Sequence, residues 1–461
     1  MSKPANNPTI SAPTTPARAN ENGTKTKNCN RMPPPSSPRY TYKPAIPWAY
    51  ASLPPSQLTT YLDDKKKPAK KAHLAVRIVQ SHFLLKLPAI LAVTLALAYL
   101  QAAIRNGHGN DGNDGNAAAP TAFLRNLLHG LWVAFAFQAA VAAPSALLRS
   151  ELLFDLSGAA CFVTVVAGAL GSTASANRAG AGAGAAAGDW AAAAVEGARA
   201  IGRAVESCDG RVWEEIGVDW RQGWVSALVC VWAVRRGIFT FVRALCRNGD
   251  SRFDEFRANR KKFFAAFMMQ SVWVTFCAIP VVALNSIPAQ GFIGTSWQAS
   301  DPILSALTSS GGMLWFWLGV WAFFRGLMIE CVADWQLTKW RLDKYRKRHD
   351  EVFCRRGLWE RSRHPNYYGE WLLWSGISMC CSAVLLSSAA RNTTGLGLGT
   401  ASVLCAVTPY FVYKTLRNIS IPLIEEKYDK MYMERKDYRD WRRNRTFRLW
   451  LDGSGIIWGY F

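Results

Sequence analysis

A short polar segment in the second half of the chain carries residue types that could bind a cofactor. Residues 361–374 read RSRHPNYYGEWLLW, so cations, an imidazole, an amide and two phenols precede a carboxylate and an apolar stretch. Charged and amide side chains are costly at the edge of a bilayer unless they bind or pair with something. This combination predicts a pocket for a large anionic cofactor at one mouth of a membrane protein.

Two further polar groups flank this segment. Before it, Glu330, Asp334 and Arg341 recur at intervals of four and seven, so they share one helix face. After it, Glu425 and Tyr428 lie in a predicted amphipathic helix that follows a proline-containing break. The alternatives, a helix end with snorkelling side chains and a solvated tail helix, remain open for these two groups.

The elements that must position these groups are long apolar blocks. The chain has 461 residues, of which half are hydrophobic, and 20 are Trp. Each block is close to the ~20 residues that a membrane-spanning helix needs. We therefore expect an all-α fold, a polytopic integral membrane helical bundle of about seven to eight transmembrane helices. The blocks lie at approximately 83–103, 127–148, 152–171, 222–245, 263–285, 303–329, 371–390 and 396–413.

The distribution of the net charge of +22 predicts the topology. With eight spans, every strongly basic segment falls on one side. The loop at 286–302 has no Lys or Arg, the turn at 391–395 has only Arg391, and both fall on the other side. The positive-inside rule then places both termini and the cofactor site on the cytoplasmic face. Because topology accounts for the charge, we expect no nucleic-acid partner.

Composition divides the chain further. We expect a disordered Pro/Ser/Thr-rich cytoplasmic tail over 1–72, N-terminal transmembrane helices over 73–148, and a main membrane domain over 149–450. A Gly/Ala-rich segment at 172–205 is predicted to be a low-complexity loop, and 451–461 a C-terminal tail. The six histidines are scattered and no CxxC pair occurs, so we expect no metal site.

Charged residues also occur inside the apolar blocks. Asp155 lies near the start of the third block, and Arg235 and Arg236 lie within the fourth. An unpaired charge there costs several kcal/mol on most scales, so ion pairing or a site is expected. Mutual pairing and a role in substrate binding both remain open.

The motifs resemble a known family. The run GLWERSRHPNYYGEWLLWSG (357–376) resembles the signature of the steroid 5-alpha-reductase C-terminal superfamily. It is closest to a DUF1295-like membrane branch of unknown function, and the resemblance covers roughly 150–450. Further similar segments are FDLSG (154–158), VWAVRRGIFTFVR (231–243), SRFDEFR (251–257), ECVADWQL (330–337) and PLIEEKYDKMY (422–432).

The resemblance implies an enzyme of lipid metabolism in the endoplasmic reticulum. Such an oxidoreductase acts on CH–CH groups: it binds NADPH from the cytoplasm and reduces a C=C bond in a lipophilic sterol-, enone- or isoprenoid-like substrate. Two residues are our candidates for catalysis, Asp155 and Tyr428. Residues that match the family's cofactor pocket by position are Asp334, Arg341, Asn366, Tyr367, Glu370 and Tyr428. Beside them, Arg361, Arg363 and His364 would neutralise phosphates, and Glu425 would complete the cofactor-binding set.

The chain departs from the steroid reductases in two ways. Glu330 stands where those reductases tend to carry Asn, and residues 1–150 show no equivalent of their substrate-polarising Glu and Tyr. One alternative is an S-adenosylmethionine-dependent methyltransferase of the isoprenylcysteine carboxyl type, which shares an RHPxYxG-like element and a tail Glu-Glu pair. Glu370 directly after Gly369 favours the reductases. The other alternative is a non-catalytic lipid-binding membrane protein.

Overall fold

The structure is a computed structural model. It describes residues 118–178, 190–207, 215–246, 253, 259–288, 291–292 and 311–445. Most of these residues are helical, and none of them lies in a β-strand. The predicted block at 83–103 and the predicted tails at 1–72 and 451–461 lie outside the described residues.

Five helices of the described part are long and apolar enough to cross a membrane, or six if a pair of helices bent by 78° forms one span. These findings confirm an all-helical protein with several membrane helices. We number the helices in chain order, and α1, α2, α4, α5 and α6 are the five candidates, whereas α8 and α9 form the bent pair. The α-helices are α1 (Ala118–Leu148), α2 (Phe154–Arg178), α3 (Trp190–Ser207), α4 (Trp220–Leu245), α5 (Arg260–Asn285), α6 (Gly311–Tyr345), α7 (Leu358–Arg361), α8 (Pro365–Leu385), α9 (Ser388–Thr394), α10 (Leu398–Thr415), α11 (Ile421–Tyr432) and α12 (Lys436–Asp440), with π-helical turns at Leu416–Ser420 and Trp441–Arg445.

The Gly/Ala-rich segment differs from the expectation. The predicted loop at 172–205 is wrong for its described residues, because α2 continues to Arg178 and α3 begins at Trp190. A Cβ atom at Gly171 or Gly197 would clash with the backbone of the opposite helix. Small residues therefore allow α2 and α3 to pack at short range, as is typical of helix pairs in membranes.

Helix α10 covers the last predicted block, 396–413, but it is not among the helices apolar enough to be a span. It is held against α5 at a proline. Pro280 has no N–H group, so the carbonyl of Phe276 lacks its usual partner within α5. The hydroxyl of Thr408 in α10 donates to that carbonyl at 2.7 Å. The side chain of a neighbouring helix thus satisfies the backbone group that the proline leaves.

The described parts of the two segments that are poor in Lys and Arg lie at one end of the bundle. A Cβ atom on Gly291 would lie 3.5 Å from Thr393 of α9, so these two residues lie close together. The opposite end, where α2, α5 and α8 begin and α4 and α6 end, carries the basic residues of 346–364. We call it the basic end.

Helices α6 and α8 pack at very short range through glycines. An added Cβ on Gly326 would lie 2.6 Å from the carbonyl oxygen of Gly369, and one on Gly376 would lie 2.5 Å from that of Gly319. The glycines are spaced by seven on each helix, so they form one continuous contact. Because a Cβ on Gly369 would lie 2.7 Å from the backbone nitrogen of Glu330, this contact also brings Glu330 beside Glu370.

Candidate functional site

Five charged side chains meet between α4, α6 and α8 near the basic end. We call Arg235, Arg236, Glu330, Asp334 and Glu370 the buried arginine cluster. Arg235 donates from Nη1 to Glu330 Oε1 at 2.7 Å and from Nη2 to Asp334 Oδ2 at 2.9 Å. Arg236 donates from Nη1 to Glu330 Oε1 at 2.6 Å, and its Nη2 lies 3.8 Å from Glu370 Oε2.

The carboxylates of this cluster are shielded from solvent. Glu330 is 0% exposed, and Asp334 and Glu370 are each 5% exposed. The second oxygen of Glu330 accepts a hydrogen bond from Trp232 Nε1 at 3.1 Å. A buried charge loses its hydration, and only close, hydrogen-bonded partners of this kind offset the free energy of that loss.

The partners of the two intramembrane arginines are therefore acids of α6 and α8. Asp155, in the first turn of α2, is close enough to Arg236 to interact with it electrostatically. The backbone carbonyl of Asp155 would lie 3.9 Å from a Cβ on Gly237, the next residue of α4. Asp155 thus lies at the edge of the buried arginine cluster.

A second group of charges lies where α8 begins. We call Arg363, His364, Glu425, Asp429 and Arg442 the Glu425 cluster. Glu425 Oε1 is 3.2 Å from both Arg363 Nη1 and His364 Nε2. Arg442 Nη2 lies 2.7 Å from Asp429 Oδ2 and 3.8 Å from Glu425 Oε2. These contacts hold α11 and the segment after it against the start of α8.

Two aromatic pairs border the Glu425 cluster. The ring of Tyr367 stacks on His364, with centroids 5.6 Å apart and planes at 14°. Tyr428, one turn after Glu425, stacks on Tyr432, with centroids 6.0 Å apart. Burial and the neighbouring Tyr428 raise the pKa of Tyr432 to about 12, so Tyr432 is a neutral phenol at physiological pH.

The turn before α8 is fixed by Gly357. Its φ of 59° belongs to the left-handed region that favours glycine, and a Cβ there would lie 2.8 Å from the amide carbon of Gln336. Gln336 Oε1 accepts a hydrogen bond from the Leu358 backbone at 3.0 Å, and Trp359 Nε1 donates to the Ala333 carbonyl at 2.9 Å. Residues 357–364 are therefore attached to α6.

The first turn of α8 offers groups to a ligand. Pro365 occupies the first turn, and no side chain caps the helix. The side chain of Asn366 is half-buried and makes no hydrogen bond with the part of the chain that the structure describes. Arg361 is exposed at the end of α7. An uncapped helix start beside a cation attracts anions, because the backbone N–H groups and the helix dipole point the same way.

Most of the predicted site residues lie near one of the two ends of the segment from His364 to Glu370. From His364 to Glu370 the chain advances six residues, or about 9 Å along α8. Arg341 is the exception: it lies seven residues, or about 10 Å, beyond Asp334 on α6 and near Cys354. The shared helix face of Glu330, Asp334 and Arg341 therefore does not bring all three into one cluster.

Five residues of the two clusters were not assigned to the site from the sequence, although Glu330, one of the five, shares a helix face with the assigned Asp334. Arg235 and Arg236 carried a signal, because charges inside an apolar block require partners. Asp429 and Arg442 carried none, because charges alternate throughout the segment that contains them.

One protein family matches this part of the chain. Residues 203–445, more than half of the chain, match the family described as "Protein of unknown function (DUF1295)". The chain belongs to the DUF1295 family. The match confirms the predicted DUF1295 branch. The wider link to steroid 5-alpha-reductases stays a prediction. Both clusters of this DUF1295 protein lie within the matched residues. No curated protein and no solved structure matches the chain.

Proposed function

We propose that this DUF1295 protein is a membrane-bound, NADPH-dependent reductase of a C=C bond in a lipophilic substrate. One observation carries the proposal: the uncapped start of α8 joins cations, stacked aromatic rings and an amide that makes no hydrogen bond with the described residues. Glu370, one of the three buried carboxylates of the buried arginine cluster, follows His364 by six residues, or about 9 Å along α8. These are the groups that a dinucleotide requires.

Each part of the donor set fits one part of NADPH. Arg361 and the N–H groups at the start of α8 suit phosphate oxygens. The Asn366 amide can donate to and accept from the carboxamide of a nicotinamide ring. Asp334 uses Oδ2 for Arg235, and its Oδ1 can accept from a ribose hydroxyl. When bound, NADPH supplies a hydride.

The reduction also needs a proton. Tyr428 is the candidate proton donor, and Asp155 is the candidate for contacting the substrate. Tyr428 is half-buried on α11 beside the Glu425 cluster, and Asp155 lies at the edge of the buried arginine cluster. If Tyr428 is the donor, Tyr428→Phe should lower kcat without weakening NADPH binding, whereas Asp155→Asn should raise the KM for the lipid substrate.

The location follows from the same proposal. We place the protein in the endoplasmic reticulum, with the basic end towards the cytoplasm, where soluble NADPH is available. The concentration of Lys and Arg at that end supports this orientation. The resemblance to steroid 5-alpha-reductases supports the choice of NADPH and of a C=C bond.

The proposal is tested by calorimetry on the purified full chain in detergent, with NADPH and S-adenosylmethionine as separate ligands. We expect NADPH binding that Asn366→Ala weakens about tenfold, because one hydrogen bond of about 1 kcal/mol or slightly more is lost. Arg348→Ala is the control, since Arg348 is exposed at the same end and pairs with Asp343 at 3.2 Å.

Other results would contradict the reductase. Binding of S-adenosylmethionine but not NADPH would favour the methyltransferase. Binding of neither, with unchanged cellular lipids in Asn366→Ala and Asp334→Asn strains, would favour a non-catalytic lipid-binding protein.

A further inference from the structure

The outward face of α10 changes in character towards the basic end. Tyr410 lies on this face and is 48% exposed. Lys414 and Arg417 follow four and seven residues later, and Arg417 is exposed. Because residues three or four apart are neighbours on a helix surface, the tyrosine and the two cations continue one stripe. The exposed residues before Tyr410 are apolar or small: Leu398, Gly399, Ser402, Val403 and Ala406.

This order of residues follows the depth of a bilayer. Apolar side chains suit the hydrocarbon, aromatic rings suit its interface with water, and Lys and Arg reach the headgroups. From Tyr410 to Arg417 the chain advances seven residues, or about 10 Å. That distance leads from the edge of the hydrocarbon into the headgroup layer. The stripe therefore places Lys414 and Arg417 at the level of lipid phosphates.

Aromatic rings hold both cations in place. Lys414 Nζ lies 5.5 Å from the ring centroid of Tyr410. The guanidinium of Arg417 lies 5.7 Å from the ring centroid of Tyr413 and donates a hydrogen bond to its hydroxyl. The Tyr413 ring in turn contacts Trp371 of α8, with centroids 6.5 Å apart. Side chains that are already ordered lose less entropy when they bind a ligand.

The local charge around these cations is positive. Residues 371–424 contain no Asp or Glu, and α5, which packs against α10, contains none either. The next acids along the chain already pair with other cations: Glu425 lies 3.2 Å from Arg363, and Glu426 lies 3.2 Å from Lys430. The end of α10 therefore attracts anions, and it does so at the depth of the headgroups.

We propose that Lys414 and Arg417 bind the phosphate of an anionic phospholipid in the leaflet at the basic end. The Cβ atoms of residues three apart on a helix are about 5–6 Å from each other, so both side chains reach one phosphate. The acyl chains lie along the exposed face of α10, over Tyr410 and Ala406. Two cations exceed the charge of one phosphate, which favours an anionic headgroup over a zwitterionic one. This inference does not depend on the proposed reduction.

The test is native mass spectrometry of the purified full chain in detergent, titrated with phosphatidylserine or with phosphatidylcholine of the same acyl chains. The wild type should bind phosphatidylserine more tightly. Lys414→Gln and Arg417→Gln should each weaken that binding about fivefold, and the double variant about thirtyfold, because each cation near an anionic headgroup contributes separately. Binding of phosphatidylcholine should change less.

A matched control removes the same charge elsewhere at the basic end. Arg346 and Lys347 are exposed in the segment that follows α6. Arg346→Gln/Lys347→Gln should therefore keep the affinity for phosphatidylserine. In thermal unfolding, added phosphatidylserine should stabilise the wild type and this control, but not Lys414→Gln/Arg417→Gln. That measurement also shows whether each variant is folded.

Three results would overturn the proposal. Equal affinity of the wild type for the two lipids would exclude recognition of the anionic headgroup. An equal loss in the two double variants would show diffuse attraction by the whole basic end. Inorganic phosphate that competes as well as the lipid does would show an ion site without a role for the acyl chains. NADPH binding, measured on the same variants, reports separately on the proposed function.

Discussion

Replacement of Glu330 by alanine should destabilise the folded protein strongly. Glu330 is fully buried and accepts hydrogen bonds from Trp232, Arg235 and Arg236. Without it, Arg236 would lose its hydrogen bond to a carboxylate, because Glu370 lies at 3.8 Å, which is too long for one. Removal of one partner from a buried ion pair costs about 3–5 kcal/mol, and we expect a loss in that range.

A conservative change at the same position separates charge from shape. Glu330→Gln keeps the size of the side chain and one oxygen acceptor, and it leaves two arginines facing two carboxylates. We expect a smaller loss, about 1–3 kcal/mol. The surface control is Glu426→Ala, because Glu426 pairs with Lys430 at 3.2 Å in an exposed i,i+4 pair, which contributes less than about 1 kcal/mol.

The free energy of unfolding can be measured in mixed micelles, with dodecyl sulfate as denaturant and tryptophan fluorescence as the signal. The expected order of loss is Glu330→Ala, then Glu330→Gln, then Glu426→Ala. If Glu330→Ala and the surface control lose the same free energy, the buried arginine cluster does not hold α4 against α6, and the reasoning fails.

Three further changes test other parts of the structure. Thr408→Val should lower the free energy of unfolding by about 1–3 kcal/mol, because it leaves the buried Phe276 carbonyl without a donor. The control, Thr164→Val, should change it by less than about 1 kcal/mol, because that exposed hydroxyl bonds only to the Ala160 carbonyl of its own helix. Gly369→Leu should prevent α6 and α8 from packing, so size-exclusion chromatography should show aggregated protein. Burial raises the pKa of Glu351, but hydrogen bonds from Arg356 and Trp340 lower it more, to below its ordinary 4.5. The stabilisation that this carboxylate gives is therefore complete near neutral pH and is lost as the pH falls through the folded-state pKa. Hydrogen-exchange protection over residues 351–358, taken relative to the intrinsic exchange rate at each pH, should fall in that range in the wild type but not in Glu351→Gln.

The helices of the described part were largely predictable from hydropathy. Apolar blocks at 127–148, 222–245 and 263–285 correspond to α1, α4 and α5, because a span needs a long apolar run and little else. The segment 172–205 was misjudged because glycine and alanine suit both a flexible loop and a closely packed helix. Only the partner helix decides between the two, and composition does not contain it.

The site was predictable in its motif but not in its pairing. Residues 361–370 could be identified as a candidate site because they are polar and lie at the start of an apolar block. The carboxylate partners of Arg235 and Arg236 lie 94 to 134 positions further along the chain, on helices that pack together through glycines. Helical spacing identifies a shared face, but it does not show how far along that face a partner reaches. For that reason Glu330 and Asp334 joined the buried arginine cluster, whereas Arg341 did not.

The glycine contact and the buried arginine cluster depend on each other. Close packing of Gly326 on Gly369 brings the carboxylates of Glu330 and Glu370 into one buried region, where they would repel each other. The arginine pair on α4 offsets that repulsion, so α4 must sit against α6 and α8 for the contact to form. An apolar interface would pack α4 as well, and at a lower cost than five buried charges. The charges therefore support the proposed ligand site at this end of the bundle, or they fix one arrangement of the three helices.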